Sequence, residues 1–216
     1  MIIPMRGGRK KPSSVVFTGG KGAQGGAPTS YTFSALAMGE ASSDRVIIVA
    51  ASCSDNNAVT ITEVSVGGVV ATRAEHAQHT NGYGVNNGLW VAPFPVGTTA
   101  DVVVKTSTGA QSSVAIYAAY GLESVMPYAS DPQTANDPLN LSLAGLAETG
   151  FALSIASTSY SGTSVIWAGI IEDTDQSANG HTSSSASVSV DGTSLNVSAD
   201  YASPGGARAG VIAAWK

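Results

Sequence analysis

The sequence predicts an all-β protein: an antiparallel β-sandwich, jelly-roll-like, built from a degenerate twofold repeat and preceded by an extended N-terminal arm. Three observations carry this. Short runs rich in Val, Ile, Thr and Tyr recur at intervals of roughly ten residues, separated by Gly, Asn, Asp and Pro. Two of these runs, 46–53 and 151–157, lie about a hundred residues apart and occupy the same place in the two halves of the chain. No stretch combines helical periodicity with a cap.

The arm covers residues 1–27. It holds Arg6, Arg9, Lys10, Lys11 and Lys21, all ahead of the first acid, Glu40, so it carries +5. Paired glycines divide it, and its one strand-like piece is Ser14-Val15-Val16-Phe17-Thr18. Such a segment buries too little apolar surface to fold alone. It is expected to be held by adding a strand to a sheet edge of another subunit, with Val15 and Phe17 on one face.

The body, 28–216, then runs strand by strand. Residues 31–36 alternate. Residues 46–51 are continuously apolar and β-branched, which reads as a buried strand. Residues 59–66 alternate with a shift near Glu63, and Gly67-Gly68 makes a tight hairpin into 69–74. Residues 77–87 read as a polar Gly/Asn/His loop. Strands follow at 88–92, 101–106 and 113–120, and 121–138 is a connection with three prolines. The pattern then restarts. Residues 139–143 match 31–36, 151–157 match 46–53, 164–171 match 59–70, 193–199 match 101–106, and 207–215 match 113–120. The pseudo-repeats span about 28–122 and 137–216, roughly ninety residues each. Either the halves form two small sandwiches in tandem or they interleave into one; the short connector favours one.

Composition narrows the function classes. Hydrophobic residues make up 43% of the chain, enough for a core, whereas charged residues make up only 12%. A surface so poor in charge suits contact with other subunits. The body holds all fifteen acids and five bases, a net −10, which argues against nucleic-acid binding. No apolar run approaches membrane-spanning length and no signal peptide is visible, so synthesis in the cytoplasm is expected. Cys53, the only cysteine, sits in a buried run and reads as a small core residue.

No catalytic residue, metal site or cofactor is expected. His76 and His79 form an H-x-x-H pair beside Glu75, but no cysteine supports them. Asp173-Thr174-Asp175 opens like a calcium loop without its glycine or its glutamate, and reads as a solvated turn. No Gly-x-Ser-x-Gly occurs. Glu172 with Asp173 is the one adjacent pair of acids, and neighbours on a strand point to opposite faces. Trp90, Trp167 and Trp215 fall within strands and read as core. Tyr83, Tyr128, Tyr160 and Tyr201 fall at or near loops, where a ring can stack on a sugar. The loop 78–87 is the best such surface, with His79, Asn81, Tyr83, Asn86 and Asn87 as candidate recognition residues.

The order Tyr31-Thr32-Phe33-Ser34, Asp44-Arg45-Val46-Ile47-Ile48-Val49, Val64-Ser65-Val66-Gly67-Gly68-Val69-Val70, Leu89-Trp90 and Val114-Ala115-Ile116-Tyr117 resembles small β-sandwich virion proteins of tailed bacteriophages and prophages. Gly150-Phe151-Ala152-Leu153 and the closing Ala209-Gly210-Val211-Ile212-Ala213-Ala214-Trp215 are similar to the ends of such proteins. The resemblance covers about 28–216 and implies a structural protein of the virion, with no catalytic residues to carry over. The expectation is a tail-fibre or tail-tip component that meets the host surface. The alternatives are a capsid decoration or head-fibre protein, and a carbohydrate-binding module. The expected partners are further copies of the chain as a homotrimer, other virion proteins through the arm, and a host-surface glycan; no membrane or nucleic-acid partner is expected.

Overall fold

The computed structural model describes residues 13–22, 28–134, 138–178, 180–203 and 206–216. The described chain is all-β with antiparallel sheets and no helix. The first half contributes β1 (Ser14–Gly22), β2 (Ser30–Ala37), β3 (Val46–Asp55), β4 (Ile61–Val66), β5 (Val69–Val70), β6 (Thr72–His79), β7 (Gly84–Pro93), β8 (Thr99–Thr106) and β9 (Gln111–Tyr120). The second contributes β10 (Ala129–Gln133), β11 (Leu139–Ala144), β12 (Gly150–Thr158), β13 (Val165–Ala168), β14 (Ile171–Ala178), β15 (His181–Val190), β16 (Ser194–Tyr201) and β17 (Arg208–Trp215).

These strands form four sheets, two from each half. In the first half the orders are β1-β9-β3-β7-β6 and β2-β8-β4-β5. In the second they are β10-β17-β12-β15-β14 and β11-β16-β13. Apart from β5, each strand of the first half has a strand in the corresponding place in the second. Every ladder among the described residues stays within its own half. The expectation of one interleaved sandwich is therefore corrected: each half closes its own pair of sheets.

The two five-stranded sheets are the inner layers and face each other. Their sequence shows why. In β3, Ile47, Val49 and Ala51 turn to the core of the first half. Val46, Ile48 and Ala50 turn the other way, onto Phe151, Leu153 and Ile155 of β12. A strand covered on both faces has no solvent side to alternate toward, so 46–51 is continuously apolar. Between the halves lies a seam, with Leu89, Val91, Tyr117, Val211 and Trp215 also in it. Trp215 stacks on Phe151 with ring centroids 5.7 Å apart.

Local details follow the same logic. Gly67 and Gly68 both have positive φ, 54° and 83°, the conformation a two-residue hairpin needs, and they join β4 to β5. The expected single strand over 69–74 divides there. Val69–Val70 stays in the outer sheet, while Thr72–His79 crosses into the inner one at buried Ala71. The expected turn at Asp173 is also corrected: it lies in edge strand β14, where its Oδ2 accepts a hydrogen bond from Tyr117 Oη at 2.9 Å.

The strand-like piece of the arm, expected on a sheet edge of another subunit, pairs within its own chain. It is β1, paired to β9 of its own chain from Ser14↔Tyr120 to Gly22↔Ser113. Val15 and Phe17 pack toward the seam, and the Phe17 ring lies 5.4 Å from that of Tyr117, while Val16 is exposed. Lys21 lies in the same strand; Arg6, Arg9, Lys10 and Lys11 lie outside the described residues.

This placement bears on truncation. Removing residues 1–22 strips β9 of a neighbour and uncovers Val15 and Phe17 contacts, and should cost about 2–4 kcal/mol in urea denaturation relative to a chain that lacks residues 1–12 alone. Equal stability of the two truncated chains would show that β1 adds nothing to the inner sheet.

Candidate functional site

The seam changes character along its length. One end is apolar, around Val46, Phe151 and Trp215. Toward the other end the same strands supply Ser52, Ser54, Ser113 and Ser157, with Asn87 from β7 and His181, Ser183 and Ser185 from β15, all buried. Several of these groups pair across the seam. Ser52 Oγ lies 2.9 Å from His181 Nε2, and Ser113 Oγ reaches the same nitrogen at 3.3 Å and also Ser183 Oγ. Asn87 Nδ2 donates to the Ala209 carbonyl at 2.6 Å, and its Oδ1 accepts from Ser157 Oγ at 2.6 Å. Full burial of His181 disfavours its charged form and holds its pKa down to about 4; the Thr158 backbone pulls the other way.

Where the polar end of the seam opens, there is a cleft of about 700 Å³. Its walls come from matching places in the two halves. Counting from the facing residues Ser52 and Ser157, the ends of β3 and β12 supply Ser54-Asp55-Asn56 on one side and Ser159-Tyr160-Ser161 on the other. Tyr83, Gln111, Gly180 and Gly206 also line it. Tyr83 is 54% exposed and Tyr160 is 52% exposed, so each wall carries one open aromatic ring.

The position of Tyr83 has a local cause. A Cβ on the next residue, Gly84, would lie 2.2 Å from the Asn57 carbonyl oxygen. Only glycine lets the β6–β7 turn press against that backbone, which places Tyr83 beside Asp55 and Asn56. At the other side of the turn His79 Nδ1 lies 3.3 Å from the Tyr83 carbonyl oxygen.

The expected recognition loop 78–87 is thus narrower than its sequence suggests. Residues 80–83, including Asn81, are exposed, and His79 ends strand β6 half-buried. Asn86 and Asn87 are corrected: both are buried in β7. Asn86 Oδ1 accepts from the Ile61 amide at 3.1 Å, and Asn87 spans the seam, so neither amide faces a surface ligand. Their polar side chains serve buried partners, which a single sequence does not distinguish from a loop.

Of the expected residues, only Tyr83 lines the cleft. Sequence reasoning singled out Tyr160 only as one of four loop tyrosines. It missed Asp55, Asn56 and Gln111, which carry no local signal because the cleft draws on separate segments.

His76 and His79 stand three apart on β6 and so point to opposite faces. Among the described residues no group of three or more metal-ligating side chains comes together. Cys53 is buried in the core of the first half, and burial pushes its thiol pKa up, away from the reactive thiolate. No helix among the described residues is long and apolar enough to cross a membrane. Comparison with protein-family models, with curated proteins and with solved structures yields no match to this chain.

Proposed function

We propose that the chain is a structural and adhesive component of a tailed-bacteriophage virion, a tail-fibre or tail-tip protein that attaches to the host surface through the seam cleft. The observation that carries this is the cleft itself, an open site with a tyrosine on each wall and amide, hydroxyl and carboxylate groups around them. Tyrosine faces stack on the C–H faces of sugars while neighbouring polar groups take the hydroxyls.

The winding of the strands supports the same reading. In the first half, strands β1, β3, β6, β7 and β9 enter the inner sheet and β2, β4, β5 and β8 the outer one. We read that distribution as jelly-roll-like winding, an architecture shared by viral capsid and lectin domains, and the order in the second half suits a duplicated unit. The protein does no chemistry in this reading: Asp55 is the only carboxylate among the described residues that line the cleft, where glycoside hydrolysis ordinarily uses a pair. The basic N-terminal residues dock the protein on other virion proteins, and the charge-poor body associates with further copies as a homotrimer.

Labelling the protein in purified particles tests the assignment. Label at the distal end of the tail is the expected result. Label on the head would replace it with the capsid-decoration or head-fibre reading. Absence from particles would leave a free carbohydrate-binding module.

A further inference from the structure

We infer that the seam cleft selects uncharged carbohydrate and turns anionic carbohydrate away. This rests on the attachment reading above and specifies its ligand. Asp55 is the only charged side chain among the described residues that line the cleft. Its carboxylate accepts hydrogen bonds and donates none, which suits a ligand rich in hydroxyl donors.

Among the described residues no cation on the lining offsets that charge. Arg208 follows Gly206 by two residues, yet its guanidinium is turned away from the seam. It lies 4.6 Å from the centre of the Tyr201 ring in the outer sheet of the second half, and Nη2 donates to the Ser203 carbonyl. His181 follows Gly180, but it is buried and held neutral above about pH 4. The chain as a whole is also acidic, at −5. An anionic ligand therefore meets a like charge at short range and a repulsive field on approach. A second negative charge about 5 Å from Asp55, in a partly solvated site, costs roughly tenfold in affinity.

The two walls divide the task. Asp55 and Asn56 on the first wall, with Ser161 on the second, offer polar partners, and Tyr83 and Tyr160 offer flat apolar faces from opposite sides. A pyranose ring presents both kinds of surface at once.

The test uses the full chain on an array that pairs neutral glycans with sulfated, sialylated and uronic-acid-bearing forms of the same backbones. Neutral glycans should bind, and their anionic forms should bind about tenfold more weakly or not at all. Tyr160→Ala and Tyr83→Ala should each lose binding of the neutral glycans without a change in melting temperature. Asp55→Asn should narrow the gap between neutral and anionic forms. Anionic glycans binding as well as neutral ones, or an unchanged gap in Asp55→Asn, would overturn the charge selection and leave the attachment reading standing. A folded protein that binds nothing on the array would overturn both.

Discussion

Replacing Arg45 with Met is expected to cost about 4 kcal/mol of stability, the largest effect of any single substitution considered. Arg45 stands just before β3 and is 1% exposed. Its Nε donates to the Phe94 carbonyl at 2.7 Å and Nη1 to that of Gly39 at 2.8 Å. Nη2 donates to the carbonyls of Val96 at 3.0 Å and Gly97 at 2.7 Å. One guanidinium therefore ties the loop before β3 to the β7–β8 connection, with its carbon 5.4 Å from the centre of the Phe94 ring.

Met fills much of the volume but leaves four carbonyl oxygens without this donor; those of half-buried Gly39 and Phe94 cost about 1–3 kcal/mol each when orphaned, while those of exposed Val96 and Gly97 can turn to water. Lys keeps the charge but cannot span the same fork, so Arg45→Lys should recover less than half of the loss. Arg73→Met is the control. That exposed arginine lies over the Trp90 ring at 5.7 Å and should cost less than about 1 kcal/mol. Urea denaturation of the three variants checks this; a loss below about 1 kcal/mol for Arg45→Met would mean the connection holds without the guanidinium.

Lowering the pH is expected to weaken the protein through His181. Its ordinary pKa of 6.5 falls to about 4 in the fold. Above pH 6.5 the imidazole is neutral in both native and unfolded states and contributes no pH dependence. Between 6.5 and 4 the unfolded chain takes up a proton that the native seam refuses, so stability falls as pH falls. Below 4 both states are protonated and the loss levels off. The full loss is about 3 kcal/mol.

Other groups titrate over part of this range. His76, lowered by partial burial and by Arg73, acts with the same sign. Asp173 and Glu172, raised mainly by burial, act with the opposite sign, since the native state protonates them more readily. The comparison that isolates His181 is therefore the denaturation midpoint of the natural chain against His181→Gln at pH 7 and at pH 4.5. The variant should lose less stability between the two pH values. Parallel losses would show that His181 is not the group that weakens the seam.

Much of the fold was legible where burial leaves a continuous mark. The run 46–51 reads as buried because β3 has a core on each face. The glycine pair at 67–68 reads as a hairpin because few other residues adopt those backbone angles. What the pattern does not carry is the partner. Period-2 alternation assigns side chains to faces, not sheets to neighbours, so tandem and interleaved halves look alike.

Edge strands were missed for a related reason. β10 contains Asp131 and Pro132, and β14 contains Glu172, Asp173 and Asp175, residues that read as turn or loop. The polar end of the seam was misread most fully. Ser, Thr, Asn and His look solvated in a sequence, but here Ser52 finds His181 and Asn87 finds Ser157 across a distance no local window spans.

The seam also bears on how its mouth can vary. Two identical subunits meeting across such an interface would set residues near the axis against their own copies. An Asp at position 55 would then approach a second Asp, and a Tyr at position 160 a second Tyr. Here one chain supplies both walls, so each side chain is encoded once. The carboxylate can stand on one wall and the ring on the other, and either can change without dragging a twin along with it. A single-residue exchange at this mouth alters one contact, where the same exchange in a symmetric pair would alter two.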